Sequence, residues 1–175
     1  MRAFTNILLV FLFTACTSVP DERMTSYVDF PETRELTART LSLDSALFRY
    51  PYRVRVQDDK AVVLDLHGTE YFFHAFHYPG FHYLSSFGKR GDAPEEMLSA
   101  ENLRWNGNFL WTLDSNKSEL TRLGFASSGD SLLRLEAVSL DEELLRALDF
   151  VQYDDSTFII PDYSGDGRFC LVSRQ

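Results

Sequence analysis

The chain has 175 residues, 45% hydrophobic and 14% aromatic, enough apolar material for one packed domain and too much for a disordered or low-complexity chain. Its 26 acidic and 17 basic residues leave a formal charge of -9, which argues against a nucleic-acid partner, since a duplex selects a basic face.

The N-terminus reads as an address. Arg2 supplies a short positive region, and Ile7 to Phe13 is a continuous apolar run. Rising about 1.5 Å per residue, that run is far too short to cross a ~30 Å hydrocarbon core, and it has the length of a signal-peptide core instead. Phe13-Thr14-Ala15-Cys16 follows directly and resembles a bacterial lipobox: bulky apolar, small, small, cysteine. The resemblance implies that Cys16 becomes the first mature residue and carries lipid. Thr17 rather than Asp follows it, which in diderm lipoproteins goes with the outer membrane. An acylated Cys16 leaves Cys170, the other cysteine, without a disulfide partner. Residues 17–34 are polar, contain two prolines and show no sustained period, as a tether does.

Beyond the tether the sequence repeats. Val54–Asp65, Leu103–Asp114 and Val151–Asp162 each read as a short strand, a polar turn, a strongly apolar strand and a closing Asp. Trp105 follows Val56 by 49 residues and Tyr153 follows Trp105 by 48; Asp65, Asp114 and Asp162 keep the same steps. Asp58-Asp59, Asn106-Gly107 and Asp154-Asp155 supply hairpin-turn chemistry. Ser42-Leu43-Asp44 and Ser139-Leu140-Asp141 are 97 apart, as are Arg49 and Arg146, and Asp141–Arg146 suggests one or two helical turns.

Strands are expected over 53–57, 60–66, 70–77 and 81–87, then 101–105, 109–114, 117–125 and 131–138, then 149–153, 156–161 and 167–173. Glu35 to Leu41 falls, by register, where the fourth strand of a preceding unit would be. A fixed period near 50 with four strands per unit is the propeller signature. The expected organisation is all-β: a signal peptide over 1–15, a tether over 16–34, and a partial β-propeller over 35–175 with repeats about 49–100, 101–148 and 149–175. Three four-stranded repeats make half of a six-bladed ring, so the chain is either a half completed by a second copy, a homodimer, or a truncated reading frame, the blander and favoured idea.

Phe87-Gly88-Lys89-Arg90-Gly91, at the end of a strand and before Ala93-Pro94-Glu95-Glu96-Met97, resembles the inter-blade loop of TolB-like six-bladed propeller lipoproteins common in Bacteroidales. Those proteins carry Phe-Gly, a basic residue and Gly, then a Gly-Pro-Gly-Glu-Phe-like loop; Ala93 and Glu95 stand here where glycines are usual. Leu110-Trp111-Thr112-Leu113-Asp114 fits the family's apolar strand ending in Asp. The resemblance implies a lipid-anchored propeller about twice this length, of a family whose activity is largely unknown.

No catalytic, cofactor or metal residues can be assigned from the motifs, so the expectation is no catalytic set, no cofactor and no metal. His67, His74, His77 and His82 lie within sixteen residues, but His74 and His77 differ by three on a strand and so point to opposite faces. An aromatic-rich blade edge is the favoured reading. Arg90-Gly91-Asp92 spells an adhesion tripeptide inside a turn, and Asp162–Gly167 resembles a calcium loop but lacks its closing Glu. The recurring aspartates suit turns in which Asp bonds its own following backbone. No Gly-x-Ser-x-Gly elbow, Walker loop, dinucleotide fingerprint or His-Glu-x-x-His is present. The expected function is therefore an outer-membrane, cell-envelope module binding a protein or glycan, anchored through lipid on Cys16; the competitors are a propeller glycan hydrolase that needs a completed ring, and a non-functional truncation.

Overall fold

A computed structural model describes residues 32–41, 43, 48–141, 144, 147–163 and 169–174. The chain divides into a unit up to Arg39 and a unit from Thr40 onward. In the first, residues 32–39 are exposed and carry no regular secondary structure. All eleven strands among the described residues belong to the second. The lipobox and Cys16, Ser42, Asp44, Arg146 and the glycines of the calcium-like loop lie outside the described residues, as does most of the segment expected to be helical.

Three antiparallel meanders follow one another. The first blade is β1 (Pro51–Gln57), β2 (Lys60–Asp65), β3 (Tyr71–His77) and β4 (His82–Lys89). The second is β5 (Asn102–Asn106), β6 (Phe109–Asp114), β7 (Glu119–Phe125) and β8 (Leu132–Ser139). The third has three described strands, β9 (Val151–Gln152), β10 (Thr157–Pro161) and β11 (Phe169–Ser173). The expected strands are thus recovered, within a few residues at each end, as propeller blades. The expected strand at Glu35–Leu41 is not: these residues are without strand pairing. Its physical reason is that an outer strand exists only by hydrogen bonding to its blade's third strand, and no described third strand pairs with these residues.

The turns show why the repeat reads so regularly at first. Gln57 pairs with Lys60, leaving Asp58-Asp59 as a two-residue turn with Asp58 at φ 50°. Asn106 pairs with Phe109, so the second turn is Gly107-Asn108, one residue later than the dipeptide singled out in the sequence, with Gly107 at φ 53°. Primed hairpin turns need such positive φ angles. The third hairpin is looser: Tyr153 N–H donates to Thr157 O at 2.8 Å, and Phe158 pairs with Gln152. By the repeat, Phe158 corresponds to Leu110, whose partner is Trp105; Tyr153 would take that place. The extra loop residue slips β9 by one, and Tyr153 is left 71% exposed.

The core lies between blades. In β2, Val62 and Leu64 face blade two, where they join Phe73, Ala75, Leu103, Leu110 and Leu123. In β6, Trp111 and Leu113 face blade three and pack with Leu120, Phe158 and Ile160. Alternate residues of each second strand thus serve opposite junctions, which is why these strands read as unbroken apolar runs rather than alternating ones. Half-buried Cys170 packs at the second junction as a free thiol.

Candidate functional site

The first strands of blades one and two approach one another. Arg55 Nε donates to Leu103 O at 3.2 Å, and the Gln57 amide reaches Gly107 O. First strands that converge in this way line the axis of a propeller. A groove of about 500 Å³ runs along β1, β5 and β9, bordered by Arg55, Gln57, Arg104, Trp105, Asn106 and Gln152.

The charges in this groove are unequal in their satisfaction. Arg104 grips Asp149 with Nη2 at 2.9 Å from each carboxylate oxygen, and Asn102 and the Phe150 N–H also donate to that carboxylate. Burial works against the charge on Asp149, but these hydrogen bonds and the Arg104 charge outweigh it and hold its carboxyl below the ordinary range. Among the described residues the hydrogen-bond partners of Arg55 are carbonyls, Leu103 O and Val54 O. Burial, then the neighbouring Arg53 and Arg104, pull its pKa down, as expected where like charges crowd. The Arg53 guanidinium lies 4.7 Å from the centre of the Tyr52 ring. Among the described residues, buried Trp105 Nε1 and Gln152 Oε1 in the groove have no hydrogen-bond partner. Two fork-shaped cations, amides and an indole N–H suit carboxylate and hydroxyl groups. In a protein of net charge -9 this is a local inversion of sign.

The repeated aspartates are structural, in a way the turn reading captured only in part. Asp65 is 1% exposed and accepts from Arg49 N at 2.8 Å and Tyr50 N at 2.6 Å, on the segment that leads into β1. Asp114, also 1% exposed, accepts at the same spacing from Leu98 N at 2.8 Å and Ser99 N at 3.2 Å. It accepts further from Ser99 Oγ and, in its own turn, from Asn116 N and Lys117 N. Each carboxylate clamps the entry of its blade to the end of the second strand. Asp162 forms an antiparallel bridge with Ala147, at the matching offset.

His74 and His77 part as their spacing implies, whereas His82 stands directly across from His77 in the pairing of β3 with β4. His74 is buried, with Nδ1 at 2.8 Å from Ser86 Oγ, which bonds the Tyr83 hydroxyl at 2.7 Å; the exposed His77 faces Asp59 at 3.4 Å. Burial, opposed by Asp65, pushes the His74 pKa down, favouring a neutral ring. His67 packs against Tyr50. Among the described residues no group of three or more His, Cys, Asp or Glu gathers as a metal site would require. Arg90 of the adhesion-like tripeptide turns back on its blade, donating to Gly68 O at 3.2 Å with its guanidinium 5.1 Å from the Phe72 ring centre.

The inter-blade loop is held from several sides. Lys89 pairs with Glu96 at 2.7 Å, Lys117 donates to the carbonyls of Ala93 and Glu96, and Arg134 donates to Pro94 O. Gly88 sits at φ 64°, where a Cβ would come within 2.6 Å of the Phe73 ring; this explains the Phe-Gly of the loop pattern.

The model of the TolB-like 6-blade propeller-like family matches residues 29–175. The chain belongs to this family. This TolB-like chain is also similar to a solved structure from Bacteroides fragilis NCTC 9343, named "putative exported protein", with a TM-score of 0.60 and 16% identity. That likeness concerns the fold. It covers 79% of this chain and 39% of the other, so the TolB-like chain spans well under half the length of that relative. No curated protein matches.

Sequence reading missed Arg55, Arg104, Asp149 and Lys117. A signal for the first two was present: Arg55 and Arg104 are 49 residues apart, the same step that the closing aspartates keep.

Proposed function

We propose that this TolB-like chain is a lipid-anchored propeller module of the cell envelope that binds an acidic protein or glycan in its axial groove. The observation that carries the reading is Arg55, a crowded guanidinium in a groove of about 500 Å³ whose neighbour Arg104 is already neutralised by Asp149. A carboxylate entering the groove would relieve the crowding and gain a charge-assisted, fork-shaped hydrogen bond. Glycan hydrolysis would instead need two free carboxyl groups about 5–9.5 Å apart. Asp65 and Asp114 are occupied by backbone N–H groups, so the recurring acids favour the binding reading.

Anchorage rests on the lipobox-like Phe13-Thr14-Ala15-Cys16, and an outer-membrane address on Thr17. The exported character ascribed to the Bacteroides fragilis relative accords with an envelope location. Labelling cells with a radioactive fatty acid is expected to mark the chain and to lose the mark in Cys16→Ser; equal labelling of both forms would refute the anchor.

Binding is checked with oligogalacturonate, polyglutamate and a neutral oligosaccharide as probes. An acidic probe is expected to bind with an affinity that falls as salt rises, and Arg55→Met is expected to weaken it by about 10- to 100-fold, the worth of one hydrogen bond to a charged group. Equal affinity for the neutral probe, or no loss in Arg55→Met, overturns the reading.

A further inference from the structure

The junction between the first two blades is not completely filled. A cavity of about 220 Å³ lies there, and its lining residues all fall between Tyr71 and Arg134, on two consecutive blades and the loop that joins them. Blade one and the loop contribute the Tyr71 and Phe87 rings and the Met97 thioether, and blade two contributes Leu123 and Leu132. Thr112 and Thr121, paired across β6 and β7, form its buried end. The cavity shares no lining residue with the axial groove, so the two sites are independent.

The two buried hydroxyls differ. Thr121 Oγ1 donates to Glu119 at 2.8 Å, and Glu119 in turn pairs with Arg134 at 2.9 Å. Thr112 is 0% exposed, and its hydroxyl has no hydrogen-bond partner among the described residues. A buried hydroxyl left without a partner is costly, and one that lines a cavity is completed by whatever enters. Water fits this role poorly. About seven waters, at ~30 Å³ each, would fill 220 Å³, and each wants two to four polar partners, which walls of Phe87, Met97, Leu123 and Leu132 do not supply. Displacing such poorly held water with an apolar group is favourable.

The walls also select the guest. About 150 Å³ of apolar cavity is enough for benzene, so this one has room for a ring with a short substituent. The Tyr71 and Phe87 rings and the Met97 sulfur favour an aromatic guest through edge and sulfur contacts. At the exposed end Lys89 is matched by Glu96 at 2.7 Å and Arg134 by Glu119, while Glu95 adds another carboxylate, so an anionic guest finds its cations taken. We propose that this cavity binds a small uncharged phenol, its ring against Phe87, Met97 and Leu123 and its hydroxyl on Thr112 Oγ1.

The test is a titration of the full chain, isotope-labelled at its methionine methyl groups, in mild detergent. Met97 is one of three methionines, and Met97→Leu assigns its signal. p-Cresol is expected to move that signal by its ring current and to saturate with a Kd of about 0.1–1 mM, ordinary for so few atoms. Thr112→Val keeps the shape of the cavity and removes the hydroxyl; it is expected to weaken p-cresol by about 3- to 10-fold and to leave toluene unchanged. Leu132→Trp, made at a half-buried position, fills the cavity and is expected to abolish both responses. N-acetyltyrosinamide separates two sources of the same ring: an affinity equal to that of p-cresol assigns the phenol to a tyrosine side chain of a polypeptide, and a weaker one to a free molecule. An unmoved Met97 signal, an unchanged p-cresol affinity in Thr112→Val, or tighter binding of toluene or benzoate than of p-cresol overturns the proposal.

Discussion

Replacing Trp111 with alanine is expected to cost about 3–5 kcal/mol of stability, the range for truncating a large buried aromatic. Trp111 is 2% exposed and meets Phe158 edge-on at 4.7 Å between ring centres, at the middle of the junction between blades two and three. The Arg122 and Arg174 guanidinium groups lie 5.9 and 6.0 Å from its ring centre, so its loss removes packing on the flank as well. The damage should be local in a specific sense. Among the described residues the buried clusters of the two junctions share no member, so blade three loses its attachment while blades one and two keep theirs. Hydrogen exchange is expected to show amides of β10 losing more protection than those of β2 and β3. A uniform loss across all three blades would show instead that the junctions open together.

Asp114→Ala should come next in severity, at about 3 kcal/mol, because it removes a buried carboxylate and leaves several partly buried donors without their acceptor at once. Among the described residues Asp114 accepts five hydrogen bonds, from Leu98 N, Ser99 N, Ser99 Oγ, Asn116 N and Lys117 N. Asp65 accepts two, from Arg49 N and Tyr50 N. The same substitution at Asp65 is therefore expected to cost roughly half as much. At about 2–4 °C per kcal/mol, Asp114→Ala should lower Tm by about 10 °C, and calorimetry of the pair gives both numbers. Asp114→Asn should recover only part of the loss, since its amide nitrogen turns a donor toward donors. If the two alanine variants melt alike, the donors do not add in the way the clamp requires.

These residues also show how far a repeat in sequence reaches. Periodicity alone places the eight strand pairings of the described residues in outline, because the steps of 49 and 48 bring like residues to like positions in each blade. It singles out Asp65 and Asp114 but not what they bind, since the donors lie 15 and 16 residues earlier and meet the carboxylates only after the first two strands have paired. The third blade departs from the repeat by one residue at Gln152, and a pattern that counts residues cannot anticipate a slip that leaves the count unchanged. Glu35–Leu41 looks like a strand because it repeats one; strand structure, though, is a property of a pair of edges. The axial groove was hidden for a related reason. An arginine on a first strand looks like any surface arginine until neighbouring first strands converge and set Arg53, Arg55 and Arg104 within reach of one another.

The clamp has one more consequence, for how such proteins change over generations. Its acceptor and the backbone donors ahead of the first strand lie within 16 residues of one another. A duplicated or excised stretch of gene that spans one period carries both halves of the bond together, and no other blade must supply a partner. Blade number can therefore drift by whole units without leaving a buried carboxylate unanswered.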